Sequence, residues 1–244
     1  MRDVVTRIVE GDMADFPDKP TKLQVLRAST LLNSLTSDET EHLAATSHLA
    51  YAERGEAIWL NGSEVDFFGI VGIGFVKMLR STATGHDVTT ELMGPGQVFG
   101  LLGAIDGTGC PQTAQAVCNT WYLKVNNREF LSIYRENTVL KEHLVRRTSH
   151  RLRNSFAMLA RMSTGRVEQR IAAILFMLAD SYGAEDGDGI TLEVPLTRQD
   201  IAEMTGTTVE TAIRVMSAWQ KKGWLATSHK QITLVKPKDL SGIL

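Results

Sequence analysis

Residues 196–223 read LTRQDIAEMTGTTVETAIRVMSAWQKKG, and the fold is decided there. Thr197, with Asp200 three residues on, forms a capping pair for a short helix that Gly206 stops. Thr207 and Thr208 offer caps for a second helix, with Glu210 within reach of a capping box. Lys221, Lys222 and Gly223 give that helix a basic last turn and a glycine stop. Two helices joined by a tight glycine turn make a helix-turn-helix. Ala202 is small where the second helix must cross the first. Ile201, Met204, Ala212, Val215, Met216 and Trp219 form the stripe expected to be buried. Val209, Glu210, Ile213, Arg214 and Ser217 are left on the open face.

That open face has the chemistry to read bases. In a helix-turn-helix the N-terminal half of the second helix enters the major groove. Arginine can donate two hydrogen bonds to guanine O6 and N7, and glutamate can accept from cytosine N4. Arg214 and Glu210 supply that pair one helical turn apart. The structural alternative is a capping role for Glu210 and an i,i+4 ion pair with Arg214. Downstream, Leu225–Leu234 alternates like a β-hairpin, with Ser228-His229-Lys230 at its tip. It reads as a wing whose Lys230 could meet a phosphate, adding affinity without sequence information.

Upstream, Val167–Tyr182 predicts an apolar helix, Gly183–Gly189 an acidic loop and Ile190–Val194 a strand. Ser163-Thr164-Gly165 is the expected hinge. Before it, Asn137–Met162 predicts one long helix. Val145, Leu152 and Leu159 recur every seven residues, and Thr148, Ser155 and Met162 form the adjacent seam beside Phe156. Flanked by Arg146, Arg147, Arg151 and Arg153, this heptad predicts a coiled coil between two subunits. Packing against the chain's own upstream domain is the alternative, and a helix has faces for both.

From Ala50 to Leu123, short apolar stretches alternate with turns. The stretches are Ala57–Leu60, Phe67–Val71, Gly74–Leu79, Val88–Leu92, Val98–Leu101, Ala114–Val117 and Trp121–Val125. Gly103–Gln112 is expected to be a short helix and loop among them. The even spacing predicts a small antiparallel barrel or jelly roll. Leu23–Leu35 and Thr36–His48 read as two helices before it, the second opened by Thr36 with Glu39. The expected division is an N-terminal extension over 1–22, a barrel domain over 23–136, a dimerisation helix over 137–164 and a winged helix-turn-helix over 165–244. The fold class is α+β.

Composition bounds the remaining classes. With 244 residues, 43% of them apolar and 22% charged, the chain has a globular composition, not a disordered one. No apolar run approaches the ~20 residues that cross a bilayer, and acids interrupt the first sixteen residues, so no membrane partner is expected and a cytoplasmic location is. Two cysteines, Cys110 and Cys118, cannot alone build a structural zinc site or a thiolate-held iron–sulfur cluster. Residues 1–140 hold 11 Lys+Arg and 17 Asp+Glu, whereas 141–244 hold 15 and 11. A basic second half suits an anionic partner. An enzyme of the cupin type would need clustered histidine and carboxylate ligands, and the barrel stretch offers His86 alone, with no HxH pair, so no catalytic residue is expected.

Across roughly residues 22–240 the chain resembles the Crp/Fnr family of bacterial transcription regulators. The order of barrel, long helix, hinge and winged helix-turn-helix matches, and Thr197–Arg214 is the specific signal. Val209-Glu210-Thr211 followed by Arg214 is closer to the Fnr branch than to the cAMP-receptor branch, which has arginine at the Val209 position. Val98-Phe99-Gly100, Thr113-Ala114-Gln115-Ala116 and Arg170-Ile171-Ala172 also match. The resemblance implies a homodimer on double-stranded DNA, with RNA polymerase as a further partner. It implies that Glu210 and Arg214 read a TTGAT-type half-site, with phosphate contacts from Thr197, Arg198, Gln199 and Thr208. Ile213 departs from the family pattern, where serine is usual, and an apolar side chain there could meet a thymine methyl.

The resemblance also places an effector pocket near Gly100, Leu101, Gln112 and Thr113. There the family's cAMP site has glutamate after the glycine and an Arg-Ser pair for the phosphate. Leu101 and Gln112-Thr113 stand in those places, and Phe156 replaces a small hydroxyl residue near adenine. A cyclic phosphate would lose its charge-assisted partner, so no cAMP response is expected. Residues 1–30 contain no cysteine and Leu123 sits near the barrel cysteine position, so no Fnr-type cluster is expected. The effector is left unassigned. Haem on one of His42, His48, His86, His143, His150 or His229, or a thiol switch at Cys110 or Cys118, would give a gas- or redox-sensing version.

Overall fold

The computed structural model describes residues 18–82, 85–228 and 230–244, with the side chains of residues 154, 157, 158 and 161–164 excepted. Most of the expected extension, residues 1–17, and the wing-tip His229 lie outside the described residues. Two compact units emerge. One ends at Arg80 and resumes over Thr90–Asn154, and the other combines Ser81–Thr89 with Ser155–Leu244.

The first unit opens with α1 (Lys22–Ala28), capped by Thr21 and Gln24. The sequence predicts this helix as far as Leu35, but it ends at Ser29, whose extended backbone stops the turn. Next, α2 (Ser37–Thr46) carries the expected Thr36–Glu39 capping box. Eight strands follow: β1 (His48–Ala52), β2 (Ala57–Trp59), β3 (Phe67–Ile73), β4 (Val76–Ser81), β5 (Asp87–Met93), β6 (Val98–Phe99), β7 (Thr113–Ala116) and β8 (Thr120–Asn126). They form two four-stranded sheets, ordered β1-β8-β3-β6 and β2-β7-β4-β5. Leu123 of β8 sits opposite Leu49 of β1 on one side and Ile70 of β3 on the other. Beyond β6 comes the short helix α3 (Leu101–Asp106), as expected within Gly103–Gln112 but starting earlier.

Two elements of this unit are absent from the sequence reading. Strand β1 is alanine-rich and intrinsically weak. Its partner β8 makes it a strand. Helix α4 (Asn127–Glu136) is capped by Asn126, whose side chain accepts the N–H groups of Arg128 and Glu129. It buries Phe130 against Phe68, ring centroids 4.9 Å apart.

Helix α5 (Thr138–Thr164) is the long helix. Leu140 is buried in the cluster that holds Phe68, Leu123 and Phe130, with Leu144 packed beside it. Arg147 donates from Nη2 to the Val98 carbonyl at 3.0 Å, and Arg151 pairs with Glu91. This face of α5 therefore belongs to the barrel.

The second unit holds α6 (Val167–Tyr182), β9 (Gly183–Asp186), β10 (Gly189–Leu192), α7 (Arg198–Thr205), α8 (Val209–Lys221), β11 (Leu225–Ser228), β12 (Gln231–Leu234) and α9 (Pro237–Ser241). Its sheet runs β11-β12-β10-β9. The acidic stretch expected to be loop is mostly strand: Ala184 and Glu185 pair with Thr191 and Ile190. Backbone pairing with β10 holds a segment whose side chains stay largely exposed. No described helix is long and apolar enough to cross a membrane.

Candidate nucleic-acid interface

The turn between α7 and α8 forms as the sequence predicts. The Thr197 N–H donates to Asp200 Oδ2 at 2.8 Å, and the Asp200 N–H donates back to Thr197 Oγ1 at 3.2 Å. Gly206 ends α7 in the left-handed region, at φ 59°, where a β-carbon is strained. Its N–H and that of Thr207 both donate to the Ala202 carbonyl. Helix α8 starts on Thr208, whose Oγ1 accepts the Thr211 N–H at 3.3 Å. The N3 residue is thus Thr211, and the capping box expected with Glu210 does not form.

Packing then sorts the residues of α8. Ile201, Ala202, Met204, Ala212, Val215, Met216 and Trp219 are all buried. Glu210, Ile213 and Arg214 are exposed, and Val209 and Ser217 are half-buried. Ile213 keeps 46% of its surface exposed, unusual for a large aliphatic side chain on an otherwise well-packed helix. Two rows run along this face, aliphatic Val209–Ile213 and charged Glu210–Arg214, each at i,i+4 spacing. The Glu210 carboxyl lies below its usual range because it accepts from its own backbone N–H and from the Thr208 hydroxyl. Among the described residues no ion pair joins it to Arg214.

The residues expected at phosphates are partly engaged within the unit. The Thr197 hydroxyl donates to Asp200 at 2.6 Å. Gln199 Nε2 donates to Glu203 Oε1 at 2.9 Å, and Arg198 Nη2 donates to Thr227 Oγ1 of β11 at 3.0 Å. That last bond ties the start of α7 to the wing. Burial pulls the Arg198 guanidinium below its usual range. Thr208 is exposed. Lys230 is exposed in the two-residue turn closed by Ser228 and Gln231, at φ 67°.

Residues 169–243 match the Crp-like helix-turn-helix domain, and residues 50–137 match the cyclic nucleotide-binding domain. The global nitrogen regulator of Nostoc sp. is 27% identical over 191 residues, covering 78% of this chain and 86% of that one. The CRP-like cAMP-activated global transcriptional regulator of Mycobacterium tuberculosis is 25% identical over 188 residues, covering 77% and 84%. Among solved structures, FixK2 from Bradyrhizobium japonicum superposes with a TM-score of 0.71 at 20% identity, over 81% of this chain and 96% of that one. The chain belongs to the Crp/Fnr family of DNA-binding transcription regulators. Its relatives are regulators and not enzymes.

In this Crp/Fnr regulator the lumen of the barrel is packed with its own side chains. Trp59 stacks on Phe99 at 5.2 Å and meets Phe67 edge-on at 5.6 Å. Tyr122 joins them, 5.9 Å from Phe99, and burial raises its phenol to about 12. Gly100 is left-handed at φ 78°, and a β-carbon there would stand 2.5 Å from the Trp59 ring. Leu101 is buried. Gln112 offers its amide to Thr90 at 2.5 Å and its carbonyl to Trp59 Nε1 at 3.0 Å, while Thr113 Oγ1 accepts from the Asn61 N–H. None of Gly100, Leu101, Gln112 and Thr113 is cationic, so this set does not fit a cyclic phosphate.

The two thiols are poorly suited to redox sensing. Cys110 is 2% exposed, and burial raises both its pKa and that of Cys118. Thiolate is the reactive form, so both are held in the inert one. Among the described residues no group of three or more His, Cys, Asp or Glu could hold a metal ion.

On α5 the heptad residues face solvent. Val145, Leu152, Phe156 and Leu159 are 65%, 52%, 61% and 66% exposed. Thr148 and Ser155 are exposed beside them. The Met162 side chain lies outside the described ones.

Proposed function

We propose that this regulator binds, as a homodimer, an inverted repeat of TTGAT-like half-sites one helical turn apart, without cyclic AMP. The observation that carries the reading is the sorting of α8. Its apolar stripe is buried and Glu210, Ile213 and Arg214 are exposed on the first two turns. Arg214 donates to guanine, Glu210 leaves its capping position to accept from the paired cytosine, and Val209 and Ile213 complete the base-reading face. Thr208, Lys230, Arg198, Gln199 and Thr197 lie along the phosphate path. The last three reach it after exchanging their intramolecular hydrogen bonds, or through the backbone. The exposed row Val145, Thr148, Leu152, Ser155, Phe156, Leu159 and Met162 forms the seam between the two subunits. RNA polymerase is the further partner.

The test is fluorescence anisotropy of the ligand-free protein on a TTGAT–four-base–ATCAA duplex. The control duplex has both guanines changed, at one salt concentration, because non-specific affinity falls steeply with salt. Tight binding that requires the guanines is expected. Equal affinity for the two duplexes overturns the half-site assignment.

A further inference from the structure

We propose that the groove between the loop after α1 and the outer face of α5 binds a compact dianion, a phosphate or a short dicarboxylate. The cavity, about 250 Å³, is lined by Thr30, Leu31, Asn33, His143, Arg146 and Arg147. His143, Arg146 and Arg147 line it from α5, and Thr30, Leu31 and Asn33 from the loop. No carboxylate is among its lining residues, and Arg147 also donates to the Val98 carbonyl. The volume is enough for a small anion. Arginine forks match the planar oxygens of carboxylate and phosphate.

Two further observations bear on an effector's place here. Inside the barrel Trp59 stacks on Phe99 within a buried apolar cluster. And the site sits on the helix that carries the subunit seam. With Val145 and Leu152 at a, His143, Arg146 and Arg147 fall at f, b and c, away from that seam. An anion bound there in the proposed dimer would bridge the α1–α2 loop to α5 without entering the subunit contact. Arg147 already anchors α5 to the barrel through the Val98 carbonyl, so a ligand at its side acts on that anchor.

The experiment is isothermal titration of the full-length protein with inorganic phosphate, and separately with succinate, at constant ionic strength. It is repeated on Arg146→Gln, His143→Gln and the control Arg135→Gln, which removes the same charge from α4. Saturable binding of at least one anion is expected, weakened about tenfold or more by Arg146→Gln, also weakened by His143→Gln and unchanged by Arg135→Gln. The anion that saturates identifies the class. No saturable binding of either, binding unaffected by both site variants, or equal weakening by Arg135→Gln overturns the proposal. Circular dichroism of each variant checks folding. The titration contains no DNA, so its outcome is independent of the half-site assignment.

Discussion

At Arg214 an exposed guanidinium sits on the second turn of α8, joined by no ion pair to Glu210 one turn earlier. Among the described residues no hydrogen bond or ion pair uses it, and in the proposed complex its energetic role is on DNA. Arg214→Ala is expected to weaken the TTGAT-type duplex by ~1–3 kcal/mol and to relax preference at one base, measured by competition with single-base variants. Unchanged discrimination would remove Arg214 from base reading. Ile213 calls for a different probe, because a methyl contact makes no hydrogen bond. Replacing the outer thymine by deoxyuridine deletes only the C5 methyl. Affinity is expected to fall by ~0.8 kcal/mol, the value of one buried methylene, and Ile213→Ser should abolish the difference. Glu210 sets the pH behaviour. Its carboxyl is held below its usual range in the free protein, and even an ordinary glutamate is ionised from about pH 8 down to about 5.5, so it can accept from cytosine across that window. Base discrimination is therefore expected to be constant over that window. A loss of discrimination inside that window would overturn the assignment of cytosine reading to an ionised Glu210.

Among the elements, the helix-turn-helix is legible because its signals are local. Thr197, Asp200, Gly206 and Thr208 each act within four residues, and each does what its chemistry predicts. Gly206→Ala places a β-carbon at φ 59° and is expected to destabilise the unit by ~1–2 kcal/mol in urea unfolding. A neutral result would show that the turn relaxes. Strand β1 and helix α4 were not legible, for different reasons. In β1, Ala50 and Ala52 carry no strand preference, and the order comes from β8. In α4 the signal was present. Asn126 caps it and Phe130, Ile133 and Tyr134 give it an apolar face, but its end abuts α5 and blurs into the longer pattern. The Gly183–Gly189 stretch misled by composition: acidic residues are compatible with a strand whose side chains face water.

For the whole molecule, the exposed row on α5 is the proposed subunit seam. Leaving Val145, Leu152, Phe156 and Leu159 in water is unfavourable, and in the proposed dimer a second copy of the same helix would remove them together. Leu152→Lys is expected to give a monomer in sedimentation velocity. It should weaken the two-half-site duplex far more than a single half-site. A variant that stays dimeric would place the subunit contact elsewhere. The alternative weighed from sequence, packing against the chain's own barrel, also holds, on a different face through Leu140, Leu144, Arg147 and Arg151.

The amino-acid sequence by itself determined the family, the order of barrel, long helix and winged helix-turn-helix, and the exposed reading face of α8. Caps, glycine stops and periods of 3.6 and 7 act within a few residues, so they survive without knowledge of the fold. The tertiary structure alone decided that Trp59, Phe67, Phe99 and Tyr122 fill the barrel lumen, that the α1–α2 loop meets His143 and Arg146, and that Glu210 rests on its own helix terminus. Trp59 and Phe99 are forty residues apart in sequence, and Asn33 and His143 more than a hundred. Such meetings depend on strand register and on the path of the chain, which no local pattern encodes.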